Sequence, residues 1–529
     1  MSRTESSPSA TAVPARPVIR RGIALGAIVA VVAIGVVLRF AVRSDLWLDE
    51  ALTVNIARLP LGEIPGALKV DGAPPLYYVL LHLWMLVFGE SDAAVRALPA
   101  LLGVATLPLA YLAGRRIGGP ESARAHRVGL VALVLVAASP YAIRYSSENR
   151  MYILVIDLVL VGYLVLHRAL ERPTVGRLAA VAAVVAALLY TNYWCLYVLA
   201  VVGGITVWRG LRAPTGGEPD ERATARRILV AMIVGGFCFV PWVPTFLFQT
   251  ANTGTPWGAA LAPTSAFAFT VLDFGGSSFA EGWPLALILF LLAVLALFGR
   301  DRDARHIDLD LATVPGARWE WAVGTGALGL GLALAYVSGT AFQTRYAAMS
   351  FPLYVLAVAV GVMCFRDLRV RAGILAVVVA IGFVSGFRNA VTDRTQATEV
   401  ATALRRGAAP GDVVGYCPDQ LGPDVSRLLP ASLGLRQFAY PGFAAPYRID
   451  WTDYAERNRR ADPVRFAREL ERRAGDRTVW FVWSGGYRTY RLQCERVISE
   501  LARLRGNRTI VVNVRPRVFE HMGLDRFAP

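Results

Sequence analysis

The sequence predicts an all-α polytopic membrane bundle of about eleven spans, followed by a small C-terminal α/β domain. Three observations predict it. The 529-residue chain is 55% apolar with a mean hydropathy of +0.46, and its apolar residues fall in repeated long runs that a water-soluble core has no means to bury. Arginine-rich loops alternate with loops that together hold far fewer positive charges, the signature of a chain crossing a bilayer repeatedly. Beyond residue 389 no apolar run reaches membrane length, and strand-like stretches alternate with amphipathic helical ones.

The first 19 residues, rich in Ser, Ala, Thr and Pro, read as a disordered cytoplasmic tail. Arg20 and Arg21 precede an apolar run over 22–42. That run is longer than the core of a secretory signal and is followed directly by a charged loop, so it is expected to stay as an anchor, with the N-terminus in the cytoplasm. Further spans are expected near 97–114, 128–144, 151–166, 178–191, 193–208, 228–247, 284–299, 320–338, 347–364 and 373–388. The apolar stretch 75–89 follows Pro74-Pro75 and carries Tyr77, Tyr78, His82 and Trp84, groups that favour a membrane interface. It is read as a helix lying in the outer interface. Were it to cross, every later loop would change side.

Arginine placement decides between these topologies. With 75–89 in the interface, the cytoplasmic loops hold nineteen arginines, among them Arg115, Arg116, Arg168, Arg209, Arg300 and Arg366. The outer loops hold seven basic residues: Arg43, Arg58, Lys69, Arg96, Arg144, Arg150 and Arg345. This is the expected inward bias. The net charge of +16 is nearly all arginine, with Lys69 the only lysine; topology accounts for much of it, and no nucleic-acid partner is expected. The membrane unit is placed at 20–388. The region 389–529 shows strand-like stretches at 412–416, 478–483 and 509–514 and helical patterns at 462–473 and 490–504. An odd number of spans puts it outside the cell, in a multi-pass protein of the plasma membrane. Cys195, Cys238 and Cys364 lie in apolar runs and read as inert. Cys417 and Cys494 are in the C-terminal region, where they pair as a disulfide in an oxidising compartment or else stay as two buried thiols.

This topology gathers four polar clusters on the outer side. The first is Trp47-Leu48-Asp49-Glu50, with 69–75 (Lys-Val-Asp-Gly-Ala-Pro-Pro) following it. The second is 145–152, with Glu148, Asn149 and Arg150 at its centre. The third is 191–194, with Asn192, Tyr193 and Trp194. The fourth is 343–346, with Arg345 and Tyr346. Each has an ordinary reading alone: an arginine at a helix end snorkels to the interface, a Glu-Asn-Arg tip is a solvated loop, and aromatics form an interfacial belt. Together they place carboxylates, guanidinium groups and aromatic walls on one face. That set suits group transfer from a membrane-bound phosphate ester. Arginine offers a bidentate fork to a phosphate, and an aspartate can take the proton from an acceptor hydroxyl. Asp49, Glu50 and Glu148 also offer oxygen ligands to a divalent metal, although no spacing demands one. No Gly-rich nucleotide loop is present in a fitting context, which favours a lipid-phosphate donor.

The Asp-Glu pair in the first outer loop, the Pro-Pro-Leu-Tyr-Tyr interfacial helix, the Ser-Ser-Glu-Asn-Arg-Met-Tyr tip and the late Thr-Arg-Tyr resemble the GT-C glycosyltransferases. The likeness is to the branch of protein O-mannosyltransferases and lipid A aminoarabinose transferases, over roughly 20–360. The resemblance implies a GT-C-like bundle with its active site at the outer face. It implies a polyprenyl-phosphate-sugar donor, an envelope lipid, glycan or protein acceptor, and inverting transfer. By position it makes Asp49 the general base or the group that organises the acceptor, with Glu50 and Glu148 beside it as catalytic candidates. It sets Arg150, Arg345, Tyr346 and Lys69 at the donor phosphate. Tyr77, Tyr78, His82, Asn192 and Tyr193 become substrate-contact candidates. Two positions depart from the pattern: Ala73 stands where His or Lys often precedes Pro-Pro, and Asn192 where His often precedes Tyr. Two other classes of function compete, a transporter or lipid flippase and a non-catalytic cell-wall-binding scaffold. The spans show no internal repeat of the kind transporters carry, although Pro241 and Pro244 do interrupt one of them.

Overall fold

The computed structural model describes residues 16–212, 221–276 and 282–529, with side chains from residue 22 onward. Most of the expected N-terminal tail, residues 1–15, lies outside the described residues. The order begins with α1 (Arg16–Phe40), three shorter helices α2 (Leu48–Ala57), α3 (Ile64–Asp71) and α4 (Leu76–Phe88), and α5 (Asp92–Ile117). It continues with α6 (Ser122–Ala138), α7 (Pro140–Ser146), α8 (Tyr152–Glu171), α9 (Val175–Thr191) and α10 (Cys195–Arg212). Then come α11 (Glu221–Phe237), α12 (Val243–Asn252), α13 (Pro263–Phe274) and α14 (Gly282–Phe298). A hairpin of β1 (Gly299–Asp301) and β2 (Ile307–Leu309) leads to α15 (Arg318–Val337), α16 (Phe351–Val362) and α17 (Leu368–Val391). Among the described residues, seven helical segments are long and apolar enough to cross a bilayer, a bent pair makes an eighth, and α4, α9, α14 and α16 are shorter apolar helices. This is a multi-pass membrane bundle.

The differences from expectation have local causes. The run at 128–144 is a broken pair, α6 and α7, bent by 60°. Pro140 has no N–H to continue α6 and takes the first position of a new helix, and the Ser139 hydroxyl caps it by accepting from Ala142 N. The break leaves α6 carbonyls without helical donors. Arg39, buried near the end of α1, supplies them: it donates to Val136 O at 2.8 Å and Ala137 O at 3.2 Å. The run at 228–247 stays within one span, Glu221–Asn252, in which a short 3₁₀ turn at Val240–Trp242, containing Pro241, joins α11 to α12, and Pro244 sits in the first turn of α12. Helix α5 starts at Asp92 rather than 97, capped by Ser91, so Arg96 is a buried helical residue and not part of a loop. Small residues let helices close up, as membrane packing requires. A Cβ on Gly361 of α16 would sit 1.8 Å from Leu292 O of α14.

The C-terminal region is an α/β unit. Its helices are α18 (Ala397–Gly407), α19 (Gly422–Arg427), α20 (Tyr454–Arg460), α21 (Pro463–Ala474) and α22 (Gln493–Arg505). Its strands are β3 (Val413–Cys417), β4 (Arg436–Ala439), β5 (Val479–Trp483), β6 (Arg508–Val512) and β7 (Gly523–Phe527), in sheet order β4-β3-β5-β7-β6. Strands β4, β3 and β5 run parallel, and β7 is antiparallel to both β5 and β6. The buried strands Val413–Cys417 and Val479–Trp483 are continuous apolar runs because helices cover them; α21, capped by Asp462, lays Phe466, Ala467 and Leu470 on the sheet. Cys417 at the end of β3 is disulfide-bonded to Cys494 at the start of α22.

The α/β unit is joined to the bundle at the end carrying α2. Trp47 and Leu48 belong to the apolar core of the C-terminal unit. Asn55 of α2 donates to Tyr447 O at 2.7 Å, and Trp451 N donates to Val70 O at 3.0 Å. Arg427 pairs with Asp92 at 3.0 Å.

Candidate active site

Helix α2 begins with two adjacent carboxylates, and adjacent helical residues face about 100° apart. They therefore serve different surroundings. Glu50 is fully buried. Its oxygens accept from Arg96 Nε at 2.9 Å and Nη2 at 2.6 Å, and from the Asn149 backbone N at 2.8 Å. Arg96 also donates to the carbonyls of Ser44 and Asp45. One ion pair thus ties the first loop, the start of α5 and the 147–151 tip into a single block. Asp49 is turned away from that block. Its Oδ2 lies 3.1 Å from Arg345 Nη1, and its side chain keeps 18% of its surface exposed. Among the described residues its Oδ1 has no partner.

Arg345 sits in the short 3₁₀ segment Thr344–Met349 between α15 and α16. Its guanidinium carbon is 5.6 Å from the Trp47 ring centre and 5.9 Å from that of Tyr346. Tyr346 stacks on Trp194 with centroids 5.2 Å apart. The first, third and fourth polar clusters of the sequence therefore meet here, with Trp47, Trp194 and Tyr346 as the aromatic wall.

Arg150 lies behind Asp49. Its Nη1 donates to Thr53 Oγ1 at 2.7 Å and Tyr78 Oη at 3.2 Å, and approaches the Asp49 carbonyl at 3.5 Å. Tyr78 passes the chain on to Asp71 Oδ2 at 3.0 Å. Burial pushes the Asp71 carboxyl up, against the opposing charge of Arg150. Tyr77 donates to Asn149 Oδ1 at 2.8 Å. Glu148 is also buried; Arg394 Nη1 is 3.1 Å from its Oε2, and its Oε1 has no hydrogen-bond partner. Burial pushes its carboxyl up too, with Arg394 and Arg144 pulling the other way.

Several expected contacts fall elsewhere. His82 faces Ala57 O at 2.8 Å, at the opposite end of α2 from Asp49. Lys69 is exposed, 4.4 Å from the Phe248 ring centre, and touches neither Asp49 nor Arg345. Asn192 caps its own turn by accepting from Trp194 N at 2.9 Å. Tyr193 holds Gln249 and accepts from Trp242 Nε1 at 2.8 Å, while Gln249 Nε2 reaches Leu68 O at 2.7 Å. Tyr77 and Tyr78 are wholly buried. Arg96, Arg394, Thr53 and Asp71 were not among the expected site residues. Asp71 lies within the 69–75 stretch already singled out; the arginines sit 46 and 246 residues from the carboxylates they neutralise, and no spacing in the sequence marks them.

For a divalent metal, the carboxylates fit poorly: Asp49, Glu50 and Glu148 each face a different arginine. Among the described residues no three His, Cys, Asp or Glu side chains gather.

The seam above α2 carries a pH dependence. Leu48 N donates to both oxygens of Glu520, at 3.1 and 3.3 Å, and Glu520 is buried beside Asp424, which accepts from Thr395 Oγ1 at 3.0 Å. Burial pushes the Asp424 carboxyl up to about 6, and burial together with the Asp424 charge holds Glu520 well above the ordinary range. Both folded values lie above those of the unfolded chain, near 4. The folded state therefore binds more protons, and this contribution is complete below about pH 4 and lost as pH rises through 6 and beyond. Thermal unfolding followed by tryptophan fluorescence is expected to show a Tm falling between pH 5 and 8, with a shallower fall in Glu520→Gln. A Glu520→Gln slope equal to that of the parent protein would contradict this assignment.

Comparison with known proteins agrees with the architecture. Residues 72–217 match the family model described as dolichyl-phosphate-mannose-protein mannosyltransferase. The fold is similar to that of ArnT from Cupriavidus metallidurans in the apo state, with a TM-score of 0.61 at 14% identity over 96% of this chain and 98% of that one. ArnT from the same organism bound to undecaprenyl phosphate is similar with a TM-score of 0.57, at 14% identity and the same coverage. No curated protein matches by sequence. The chain thus shares the fold of ArnT over nearly its whole length, its C-terminal unit included.

Proposed function

We propose that this protein transfers a glycosyl group from a polyprenyl-phosphate sugar to an envelope lipid, glycan or protein acceptor at the outer face of the plasma membrane. The observation that carries the proposal is the Asp49–Arg345 pair at 3.1 Å, partly exposed and walled by aromatic rings. It is supported by the matching mannosyltransferase model and by the undecaprenyl phosphate bound to the similarly folded ArnT.

Arg345 has Asp49 as its counter-ion. A donor phosphate, with more charge and more acceptor oxygens, competes for that guanidinium. Asp49 is then released to take the proton from an acceptor hydroxyl. The acceptor oxygen forms a bond to the anomeric carbon as the bond from that carbon to the phosphate oxygen breaks. Polyprenyl phosphate leaves with the electron pair, held by Arg345, and Arg150 adds positive charge from behind. One displacement with one base inverts the anomeric centre. A double displacement needs a second free carboxylate as nucleophile, and Glu50 and Glu148 are both buried in ion pairs. Guanidinium charge takes the part of a divalent ion in this scheme.

The purified protein, incubated with radiolabelled polyprenyl-phosphate sugars and a panel of envelope acceptors, is expected to move label into one acceptor class. Absence of transfer from every donor would reject the proposal. Arg345→Ala is expected to raise the donor KM by ~10–100-fold, the loss of one or two hydrogen bonds to a charged group. Arg345→Lys should recover part of it, because a point charge replaces the fork. A KM unchanged in Arg345→Ala would remove this residue from the phosphate site.

A further inference from the structure

We propose that the end of the bundle opposite Asp49 holds a binding site for an anionic glycerophospholipid of the cytoplasmic leaflet. Helix α8 begins beside the active-site tip at Tyr152 and runs away from it. His167 is 15 residues further on, ~22 Å along the axis. There a cavity of about 190 Å³ lies among α8, α9, α10, α11 and α15. Its shaft is lined by aliphatic side chains such as Val159, Val184, Leu188 and Val202.

The shaft opens towards a second, wider cavity of about 660 Å³; the two share Tyr163, His167, Trp319 and Glu320. This vestibule is bounded by the turn at 117–122, by the last helical turn of α8 with Arg168 and Glu171, and by residues 315–316. By the arginine distribution those turns face the cytoplasm.

The charges around the junction are unequal. Glu171 is paired with Arg116, and Glu320 accepts from the Tyr163 hydroxyl at 2.8 Å. Arg115, Arg168 and Arg209 have no carboxylate partner within salt-bridge distance among the described residues. Arg209 lines the shaft mouth itself, its guanidinium 4.3 Å from the Trp319 ring centre. A half-buried guanidinium at the mouth of an aliphatic shaft is an arrangement that asks for a ligand with two parts. An inorganic anion would satisfy the arginines and leave the shaft unfilled; a neutral chain would fill the shaft and leave the arginines unpaired. A phosphate-headed lipid with one acyl chain in the shaft does both, and basic pockets between membrane helices on the cytoplasmic side are suited to such headgroups. The site lies far from Asp49 and does not depend on the transfer reaction.

The test uses the full-length protein in detergent, titrated with phosphatidylglycerol or phosphatidylcholine and observed by native mass spectrometry. One saturable phosphatidylglycerol adduct is expected, with at least tenfold preference over phosphatidylcholine. Arg209→Gln should weaken it by about tenfold, and Val202→Phe, which fills the shaft, should abolish it. A fluorescence-monitored Tm measured without added lipid checks that both variants stay folded. Equal binding of the two lipids would overturn the proposal, as would an adduct indifferent to both substitutions. Competition by inorganic phosphate with no effect of Val202→Phe would reduce the site to an anion site and also overturn it. Should Val202→Phe fail to fold, Leu199→Phe on the same helix, also lining the shaft, takes its place.

Discussion

Asp49→Asn is expected to lower kcat for glycosyl transfer by ~10²–10⁴-fold, the usual worth of a positioned general base, while leaving the donor KM within a few-fold. The amide keeps the size of the carboxylate and an oxygen that accepts from Arg345, so the loop, α2 and the aromatic wall have no reason to move. What it lacks is the capacity to take a proton from the incoming hydroxyl. The comparison with Arg345→Ala carries the role assignment: one variant should act chiefly on kcat and the other chiefly on KM. If Asp49→Asn raised KM and spared kcat, the base would have to be sought elsewhere. A scaffold that only binds polymer would show no transfer before or after Asp49→Asn and would keep its polymer binding, and that result would set the enzymatic reading aside.

The parts of this fold that were legible in the sequence are those the bilayer dictates. A span needs about 20 apolar residues whatever it packs against, so the long helices announce themselves. What was hidden depends on partners far along the chain. Helix α2 has nearly every residue buried on all sides, so it shows no polar face and no helical period to read. The α6–α7 break follows from Pro140, yet the run around it is apolar enough to pass for one straight span; the residue that makes the break tolerable, Arg39, lies almost a hundred positions away. The same holds at the site. Asp49 and Arg345 could be suspected because each sits in a short polar motif at an apolar boundary. Arg96 and Arg394 could not, because an arginine beside a span already has an ordinary explanation in topology. Glu50 was singled out with Asp49 for the same local reason, and only the fold separates them: the helix turns one carboxylate, partly exposed, to Arg345 and the other into the block of Arg96 and Asn149.

That separation is open to direct measurement through its effect on stability. Arg96→Ala removes the guanidinium from Glu50, which is fully buried and has only the Asn149 N–H left to it. Removing one partner of a buried pair costs ~3–5 kcal/mol, because an uncompensated charge remains in a medium that solvates it badly. The same substitution frees the carbonyls of Ser44 and Asp45 and loosens the loop that leads to Asp49. A sharply lower Tm is therefore expected, together with weak activity. The double variant Arg96→Met, Glu50→Gln removes both charges while keeping most of the volume. It should regain a large part of the lost stability, since a buried pair replaced by neutral groups is often close to neutral overall. Glu50→Gln alone decides whether this residue takes part in the chemistry. Its amide oxygen still accepts from Arg96 or Asn149, so a positioning role predicts a reduced Tm and a moderate fall in kcat with an unchanged pH profile. If Glu50→Gln kept its Tm and lost activity as completely as Asp49→Asn, the base would be Glu50, and the ion pair with Arg96 would have to open during turnover.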